Sequence, residues 1–349
     1  MAEQKIKLLN SVQEVDEFTA GQNRRLNSAT HEEIIAGATS DIYFVKTQDI
    51  LQQLHQENVV VTAEIFGRKP GLFVGIEELL GLLKDAPVEV WALPEGSEMS
   101  PKEVVCRIKG RYADFGVYET ALLGILASSS GWATAARKIK AASPDKPVSC
   151  FGARHIHPAV APVMERAAVL GGCDACSCIL GAMLLGEYPS GTTPHALFLT
   201  VGDTLSAAQA YDEFMPENAA RVILVDTFRD EVEEALRVAR AMGRRLQGVR
   251  LDTPSERGGV TAGLVSELRR RLDMEGFDYV KIFVSGGLTP ERVQELAAAG
   301  ADAFGVGSYI SAAPAIDMTM DLKEVNGKPV AKRGRIPGET ANPRLVKMK

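Results

Sequence analysis

The chain has 349 residues, of which 46% are hydrophobic and 24% charged, and its formal net charge is −6. This composition is ordinary for a globular protein, and the acidic balance excludes a general attraction to nucleic acid or to an anionic membrane. Because no apolar run approaches the roughly 20 residues of a membrane span and the N-terminus lacks a secretory signal pattern, we expect a cytoplasmic protein.

The first part of the chain predicts a small domain. Residues 1–40 are polar and mixed in charge, and we expect them to form an N-terminal arm or helix. Within 41–128, short apolar runs alternate with Gly and Pro, which is typical of a small α/β domain. The runs are 58–66, 88–93 and 103–109. We assign the C-terminal residues 320–349 to the same α/β sandwich domain.

Residues 129–319 have a different pattern, in which short apolar runs alternate with amphipathic stretches. The predicted strands are 147–153, 173–179, 196–201, 221–225, 246–251, 279–284 and 303–306. The predicted helices are 160–170, 204–215, 230–242, 263–274 and 290–299. Buried strands that alternate with helices imply a parallel sheet with right-handed crossovers. The number of repeats favours closure into an irregular TIM-like (β/α) barrel.

Polar side chains collect where the predicted strands of this barrel end. They are Arg154, His195, Asp226, Arg250, Asp252 and Ser285. In a (β/α) barrel the carboxyl ends of the strands form the face that carries chemistry. Any one of these residues could cap a helix or pair with a neighbouring charge. Their joint placement predicts a ligand site at this face.

Two glycine-bearing loops follow the last two predicted strands. VSGGLTPERV places Gly286 and Gly287 before a helix that starts near Pro290, and GVGSYI repeats the arrangement one unit later. Glycines let the backbone approach a ligand closely, and N–H groups at helix N-termini bind anions. The alternative is a pair of tight turns at barrel corners. We favour a phosphate-bearing substrate, because this pair of loops is a frequent phosphate site in barrels.

The charged residues fit a sugar phosphate with a small anionic partner. Asp226 and Asp252 offer acceptors for ribose hydroxyls and for Mg²⁺ carried by a pyrophosphate. Arg154 and Arg250 offer planar guanidinium groups that suit carboxylates or phosphates.

With these segments the chain resembles the type II phosphoribosyltransferases, most closely the nicotinate phosphoribosyltransferases. The matching segments run in family order along most of the chain, and together they are specific although each alone is weak. They are DIYFVKT, GRYADFGVYETALLGILA, FGARHIHP, GCDACSC, GTTPH, GVRLDTPSERGG, FVSGGLTPERV, FGVGSYI and KPVAKRGRIPG.

The resemblance implies a role for each matching residue. His195 matches a histidine that ATP phosphorylates, and Asp252 matches a group around the ribose and Mg²⁺. On chemical grounds we expect the Asp252 carboxylate to stabilise positive charge at the ribose C1. Tyr43 and Phe151 match an aromatic pair that sandwiches the pyridine ring, with Tyr43 coming from the partner subunit. The remaining matches are Thr192 and Arg250 for the pyridine carboxylate, Asp226 for the ribose and Mg²⁺, and Gly286, Gly287, Gly305, Gly307 and Ser308 for the 5′-phosphate.

As a whole, the resemblance implies an ATP-coupled enzyme of NAD biosynthesis, in the salvage route. It would make nicotinate mononucleotide and pyrophosphate from nicotinate and phosphoribosyl pyrophosphate, with Mg²⁺ and with ATP as co-substrate. It would act as a homodimer or a higher homo-oligomer with shared active sites.

Several alternatives stay open. Quinolinate phosphoribosyltransferase handles a dicarboxylate, for which we expect a denser basic cluster and no histidine in GTTPH. Nicotinamide differs from nicotinate by few contacts, and a phosphate-binding barrel aldolase or isomerase is a further possibility. We interpret His155 and His157 as structural. The C-x2-C-x-C cluster of Cys173, Cys176 and Cys178 lacks a fourth ligand at zinc-like spacing, so we expect no structural metal site.

Overall fold

The computed structural model describes residues 7–20 and 24–349. Its α-helices are α1 Val12–Glu17, α2 His31–Ile35, α3 Ile42–Gln53, α4 Ile76–Leu82, α5 Tyr112–Phe115, α6 Glu119–Ala142, α7 Ala161–Leu170, α8 Ile179–Met183, α9 His195–Val201, α10 Thr204–Phe214, α11 Glu231–Met242, α12 Ala262–Met274, α13 Pro290–Ala298 and α14 Ser308–Ser311. Its strands are β1 Val60–Gly67, β2 Gly71–Phe73, β3 Glu89–Ala92, β4 Ser97–Met99, β5 Val104–Arg111, β6 Val148–Cys150, β7 Ala175–Cys176, β8 Val222–Leu224, β9 Gly248–Leu251, β10 Lys281–Ser285, β11 Ala303–Val306, β12 Met318–Val325, β13 Lys328–Pro329 and β14 Val346–Lys347. Within these described ranges, no helix combines the length and the apolar character that crossing a membrane requires.

The chain separates into two compact units. Unit 1 comprises the described residues up to Gly131 together with Pro314–Lys349, and unit 2 is Trp132–Ala313. The division falls within the long helix α6. The predicted arm at 1–40 contains the short helices α1 and α2. The division into domains stays a prediction, because compactness alone does not establish independent folding.

Unit 1 is built on an antiparallel sheet with the strand order β13-β12-β1-β5-β3-β14. Its core contains Ile65, Phe73, Leu79, Ile108 and Phe115, all fully buried. The C-terminal strands β12 and β14 pair with β1 and β3 respectively, so the end of the chain completes a sheet begun near its start.

Unit 2 contains a parallel sheet with the order β7-β6-β11-β10-β9-β8. The mixed α/β class, with a TIM-like barrel and a smaller α/β part, is confirmed. Strands β6, β11, β10 and β9 are consecutive neighbours in this sheet. Parallel neighbours bring their carboxyl ends to one edge. The residues that follow these four strands therefore lie close to one another.

One predicted strand is wrong. Residues 196–201 belong to helix α9, which begins at His195, and the only buried residue of this helix is Phe198. Leu199 and Val201 are 62% and 46% exposed. A short apolar run does not distinguish a strand from a helix by periodicity alone. As a result, His195 begins a helix and does not end a strand.

The cysteine segment also differs from its prediction. Strand β7 has only two residues, and Cys178 is the N-cap residue of α8. Cys173 and Cys176 are buried, whereas Cys178 is partly exposed. The long buried strand predicted at 173–179 is therefore replaced by a short strand, a turn and a helix.

The helices of unit 2 follow the predicted periodicity closely. Helix α11 shows the reason: the Asp230 side chain accepts hydrogen bonds from Val232 N (3.0 Å) and Glu233 N (3.2 Å), and so caps the first turn. The helix ends at Gly243, whose φ of 56° favours glycine. Local capping signals of this kind are readable in the sequence.

Candidate active site

A cavity of about 350 Å³ lies at the carboxyl edge of the parallel sheet in unit 2. Most of the predicted ligand residues line it. They are Phe151, Arg154, Thr192, Arg250, Asp252, Gly286, Gly287, Gly305, Gly307 and Ser308. The lining also includes residues to which sequence reasoning gave no ligand role, of which His155 and Ser177 carry polar side chains. A cavity of this size suits a small ligand.

Arg250 is the centre of the hydrogen-bond network in this cavity. Its Nη1 donates to Thr192 Oγ1 (2.8 Å), its Nε to Ser285 Oγ (2.9 Å) and its Nη2 to Asp252 Oδ2 (3.1 Å). Burial lowers the pKa of Arg250, and the nearby Asp252 and Asp226 carboxylates oppose that effect. The guanidinium stays charged at neutral pH because an arginine pKa lies far above 7.

Asp252 is held by two side chains. Ser285, which is 2% exposed, donates to Asp252 Oδ1 (2.7 Å), and Arg250 donates to Oδ2. The side chain of Asp252 is 16% exposed. The carboxylate is therefore fixed in orientation while it still faces the cavity, as a group that stabilises positive charge on a ligand requires.

An aromatic wall lies beside Arg250. The rings of Phe151 and Phe283 stack with centroids 5.9 Å apart, and the Arg250 guanidinium carbon is 5.4 Å from the Phe151 centroid. A Cβ atom on Gly305 would lie 2.4 Å from the Phe151 ring. Gly305 is therefore required for this ring position. An aromatic face beside a guanidinium suits a flat anionic ring.

The glycine loops supply open backbone at the same cavity. Gly286 and Gly287 have φ values of 94° and 60°, which favour glycine. Their N–H groups make no backbone hydrogen bond to the part of the chain that the structure describes. A Cβ on Gly307 would lie 2.8 Å from His155 Nε2 and 2.9 Å from Phe151 O. These loops have the close backbone approach that the sequence predicts for a phosphate site.

His155 lies in the cavity lining, which differs from its interpretation as structural. The neighbouring Arg154 is exposed, and its Nε lies 3.4 Å from His155 Nε2. The two side chains adjoin because they share one turn of 3-10 helix, Ala153–His155, directly after β6. The signal that could have found His155 is its position one residue after Arg154 at a strand end. The cavity thus has three basic side chains, namely Arg154, His155 and Arg250.

His195 and Asp226 form a separate pair. His195 Nε2 lies 3.2 Å from Asp226 Oδ2, and the Asp226 side chain is 0% exposed. Burial raises the pKa of Asp226, although the adjacent His195 acts in the opposite direction. Asp226 Oδ1 has no hydrogen-bond partner among the described residues. Neither residue lines the cavity, but the Asp226 carboxylate is close enough to Arg250 and Asp252 to interact with them electrostatically.

Tyr43 lies on α3 in unit 1 and is 56% exposed. Its hydroxyl donates to Asp41 Oδ2 (3.1 Å), and burial together with this carboxylate raises its pKa. The tyrosine is not among the residues that line the cavity of unit 2. Its predicted contribution from a partner subunit stays a prediction.

The described part of the chain contains no group of three or more His, Cys, Asp or Glu residues arranged to hold a metal ion. Burial raises the pKa of the Cys173 and Cys176 thiols to about 12. These thiols therefore stay protonated at neutral pH, and the thiolate is the form that binds metals.

Two family models match the chain. Residues 41–130 match the N-terminal domain of quinolinate phosphoribosyl transferase, and residues 132–321 match its C-terminal domain. A solved structure titled nicotinate-nucleotide pyrophosphorylase from Pyrococcus furiosus is 48% identical, with 90% of this chain and 82% of that chain covered and a TM-score of 0.86.

Two curated relatives carry different names. A probable nicotinate-nucleotide pyrophosphorylase (carboxylating) of Archaeoglobus fulgidus is 27% identical, over 74% of this chain and 93% of its own length. Nicotinate phosphoribosyltransferase pncB2 of Mycobacterium tuberculosis is 32% identical over 68% of this chain. The chain spans only 52% of the length of that second relative.

These matches correct the expectation of a nicotinate phosphoribosyltransferase. Both family models describe quinolinate phosphoribosyl transferases, and the match to the Pyrococcus structure covers 82% of that chain. Nicotinate as substrate, ATP as co-substrate, the ATP-coupled ligase activity and the phosphorylation of His195 are therefore wrong. The physical reason is that an arginine, an aromatic wall and a phosphate cradle serve a pyridine monocarboxylate and a pyridine dicarboxylate alike.

Proposed function

The chain belongs to the quinolinate phosphoribosyl transferase family, and from this premise we propose that it joins quinolinate to phosphoribosyl pyrophosphate. The products are nicotinate mononucleotide, pyrophosphate and CO₂. The observation that carries the proposal is the group of three basic side chains in one cavity beside an aromatic wall and two glycine loops. A dicarboxylate needs more cationic partners than a monocarboxylate, and Arg154, His155 and Arg250 provide them.

The aromatic ring and the arginine would bind the pyridine. Phe151 offers one ring face, and Arg250, held by Thr192 and Ser285, is oriented before a ligand arrives. Such preorganisation lowers the entropy lost on binding. Arg154 and His155, on the exposed side of the same loop, would bind the second carboxylate.

The reaction exchanges one bond at the ribose C1 for another. The bond from C1 to the pyrophosphate oxygen breaks, the bond from C1 to the pyridine nitrogen forms, and positive charge develops at C1 in between. Asp252 is the fixed carboxylate that would stabilise this charge. The carboxyl group next to the ring nitrogen then leaves as CO₂, and the electron pair left on the ring carbon takes up a proton.

The glycine loops would hold the 5′-phosphate of the ribose. Their open N–H groups at Gly286 and Gly287, together with Ser308, match the hydrogen-bond acceptors of a phosphate. Mg²⁺ is commonly held by one or two carboxylates together with substrate phosphates, and neutralises charge on a leaving pyrophosphate. Asp252, and Asp226 with its unpartnered Oδ1, are the carboxylates that would hold it.

The test is product formation from phosphoribosyl pyrophosphate with quinolinate, nicotinate or nicotinamide in parallel, with and without Mg²⁺. We expect nucleotide from quinolinate, with one CO₂ released from carboxyl-labelled quinolinate for each nucleotide formed. Nucleotide formed without CO₂ release, or formed only from one of the other two pyridines, would contradict the proposed substrate.

A further inference from the structure

A fully buried carboxylate lies directly behind the cavity wall. Glu165, on α7 (Ala161–Leu170), is 0% exposed. It does not line the cavity, and none of the roles assigned above involves it. Because burying a carboxylate is costly unless donors surround it, its position calls for an explanation from its contacts.

The contacts of Glu165 join two separate loops of the cavity. Oε1 accepts from Ala153 N and from Ser177 Oγ, both at 3.0 Å. Oε2 accepts from Cys178 N at 2.5 Å. One donor thus comes from the loop after β6 and two come from the loop after β7. The carboxylate is therefore a bridge between the two loops.

Both loops carry side chains that form the pyridine side of the cavity. Ala153 lies between Phe151 and Arg154, and Ser177 itself lines the cavity. Helix α7 also packs tightly on the first loop, because a Cβ on Gly152 would lie 2.6 Å from Met164 Cε. Met164 and Glu165 together therefore fix the backbone from which the aromatic wall and Arg154 project.

We propose that Glu165 is a positioning residue for the pyridine substrate, acting through the Phe151–Arg154 backbone and Ser177. The identity of that substrate rests on the proposed function. The glycine loops after β10 and β11 make no hydrogen bond to Glu165. Loss of the Glu165 carboxylate is therefore expected to weaken the affinity for the pyridine and to leave the affinity for the sugar phosphate nearly unchanged. When hydrogen bonds that hold a binding loop in place are lost, the loop shifts and binding weakens, although every group that touches the ligand is still present.

The variant that tests this is Glu165→Gln, which keeps the volume but places an NH₂ group against one of the three donors. We expect the KM for quinolinate to rise about tenfold and the KM for phosphoribosyl pyrophosphate to change less than about twofold. Hydrogen exchange of peptides that cover 151–157 and 177–182 should become faster. Equal changes in both KM values, or no change in either, would overturn the proposal.

The matched control is Glu234→Gln. Glu234 is also 0% exposed in unit 2, but its carboxylate pairs with Arg237 (3.0 Å) and Arg229 (3.4 Å), neither of which lines the cavity. We expect this variant to keep both KM values and the exchange of both peptides. If Glu165→Gln does not fold, Glu165→Asp keeps the charge but draws the carboxylate back from its three donors by one methylene, and the KM for quinolinate should still rise by about threefold.

The two proposals can fail separately. If the wild-type protein forms no nucleotide from quinolinate, the proposed function fails, while hydrogen exchange still decides whether Glu165 holds the two loops. If quinolinate is the substrate but exchange in Glu165→Gln matches that in Glu234→Gln, the positioning role is refuted and the function stands.

Discussion

Each unit contains an arginine–carboxylate pair whose arginine is largely buried, and the two pairs differ in their other hydrogen-bond partners. The Arg107 and Arg250 side chains are both 15% exposed. In unit 1, Glu64 Oε1 accepts from Arg107 Nη2 (2.7 Å) and from Thr340 N (2.9 Å), and Arg107 also donates to Thr340 O (2.6 Å). The C-terminal segment thus closes this pair through its backbone, and its Glu339 side chain adds a second carboxylate 3.2 Å from Arg107 Nη1.

The pair in unit 2 is completed by side chains at a cavity. Arg250 donates to the hydroxyls of Thr192 and Ser285 as well as to Asp252. Hydroxyl partners rotate and exchange for a ligand at little cost, whereas a buried backbone group left without a partner is costly. The two arginines are equally exposed, so their hydrogen-bond partners, and not their exposure, distinguish the arginine of the cavity from the arginine of the sheet.

The sharpest test of this difference applies the same substitution to both arginines. We expect Arg250→Met to lower kcat/KM by about 10²–10³-fold, because under the proposed function it removes the cation that binds a pyridine carboxylate. The measurement is initial rates with quinolinate, supported by a melting curve to show that the variant is folded. Activity within threefold of the wild type would place the binding group elsewhere.

Arg107→Met should have the opposite profile. Removing one partner of a buried ion pair leaves Glu64, which is 1% exposed, without its cation, and we expect a loss of about 3 kcal/mol in the free energy of unfolding. Denaturant titration measures this loss. The KM values of the molecules that remain folded should equal those of the wild type. A variant as stable as the wild type would show that the C-terminal segment does not depend on this pair.

A smaller effect is expected at Gly305, where the aromatic wall has room only because glycine has no side chain. Gly305→Ala would place a Cβ 2.4 Å from the Phe151 ring, so this ring must leave its present position beside Arg250. We expect the KM for quinolinate to rise about tenfold. Gly124→Ala is the control, because nothing lies within 4 Å of its added Cβ. An unchanged KM in Gly305→Ala would show that Phe151 does not contact the pyridine.

The sequence was sufficient to predict the parts of this molecule that rest on local signals. The sequence predicts a helix over 230–242, and in the structure Asp230 caps α11 while Gly243 follows its last residue. The gathering of Arg250, Asp252 and the glycine loops follows from one rule, that parallel strands end on the same edge. Ten predicted ligand residues therefore line one cavity.

What the sequence did not predict depends on tertiary contacts. The run at 196–201 is apolar enough for a strand. In the structure it forms helix α9, in which Phe198 is the one buried residue. The role of Glu165 is invisible because its three donors are distant in sequence or belong to the backbone. The proposed choice of a dicarboxylate over a monocarboxylate relies on His155 lining the cavity, and the only sign of this in R-H-I-H-P is its place next to Arg154.

The smallest expected effect concerns Glu119 in unit 1, whose pKa depends on burial, Asp321 and Lys332 and on no arginine. Burial and the nearby Asp321 raise the pKa of Glu119 from 4.5 to about 7, against the opposing charge of Lys332. The folded state therefore holds this proton more tightly than the unfolded state does. The stability that Glu119 contributes is fully present below its unfolded pKa of 4.5 and is lost as the pH rises through about 7.

Glu119→Gln imitates the protonated form and should remove this pH dependence. We expect the variant to melt like the wild type at about pH 4.5 and a few degrees higher, roughly 2–4 °C, at pH 8. The exposed Glu98 on β4 provides the control, since Glu98→Gln should leave the difference between the two pH values unchanged. A Glu119→Gln variant that is destabilised at pH 8 would mean that the charged carboxylate stabilises this unit, most directly through Lys332, and that burial does not dominate at this position.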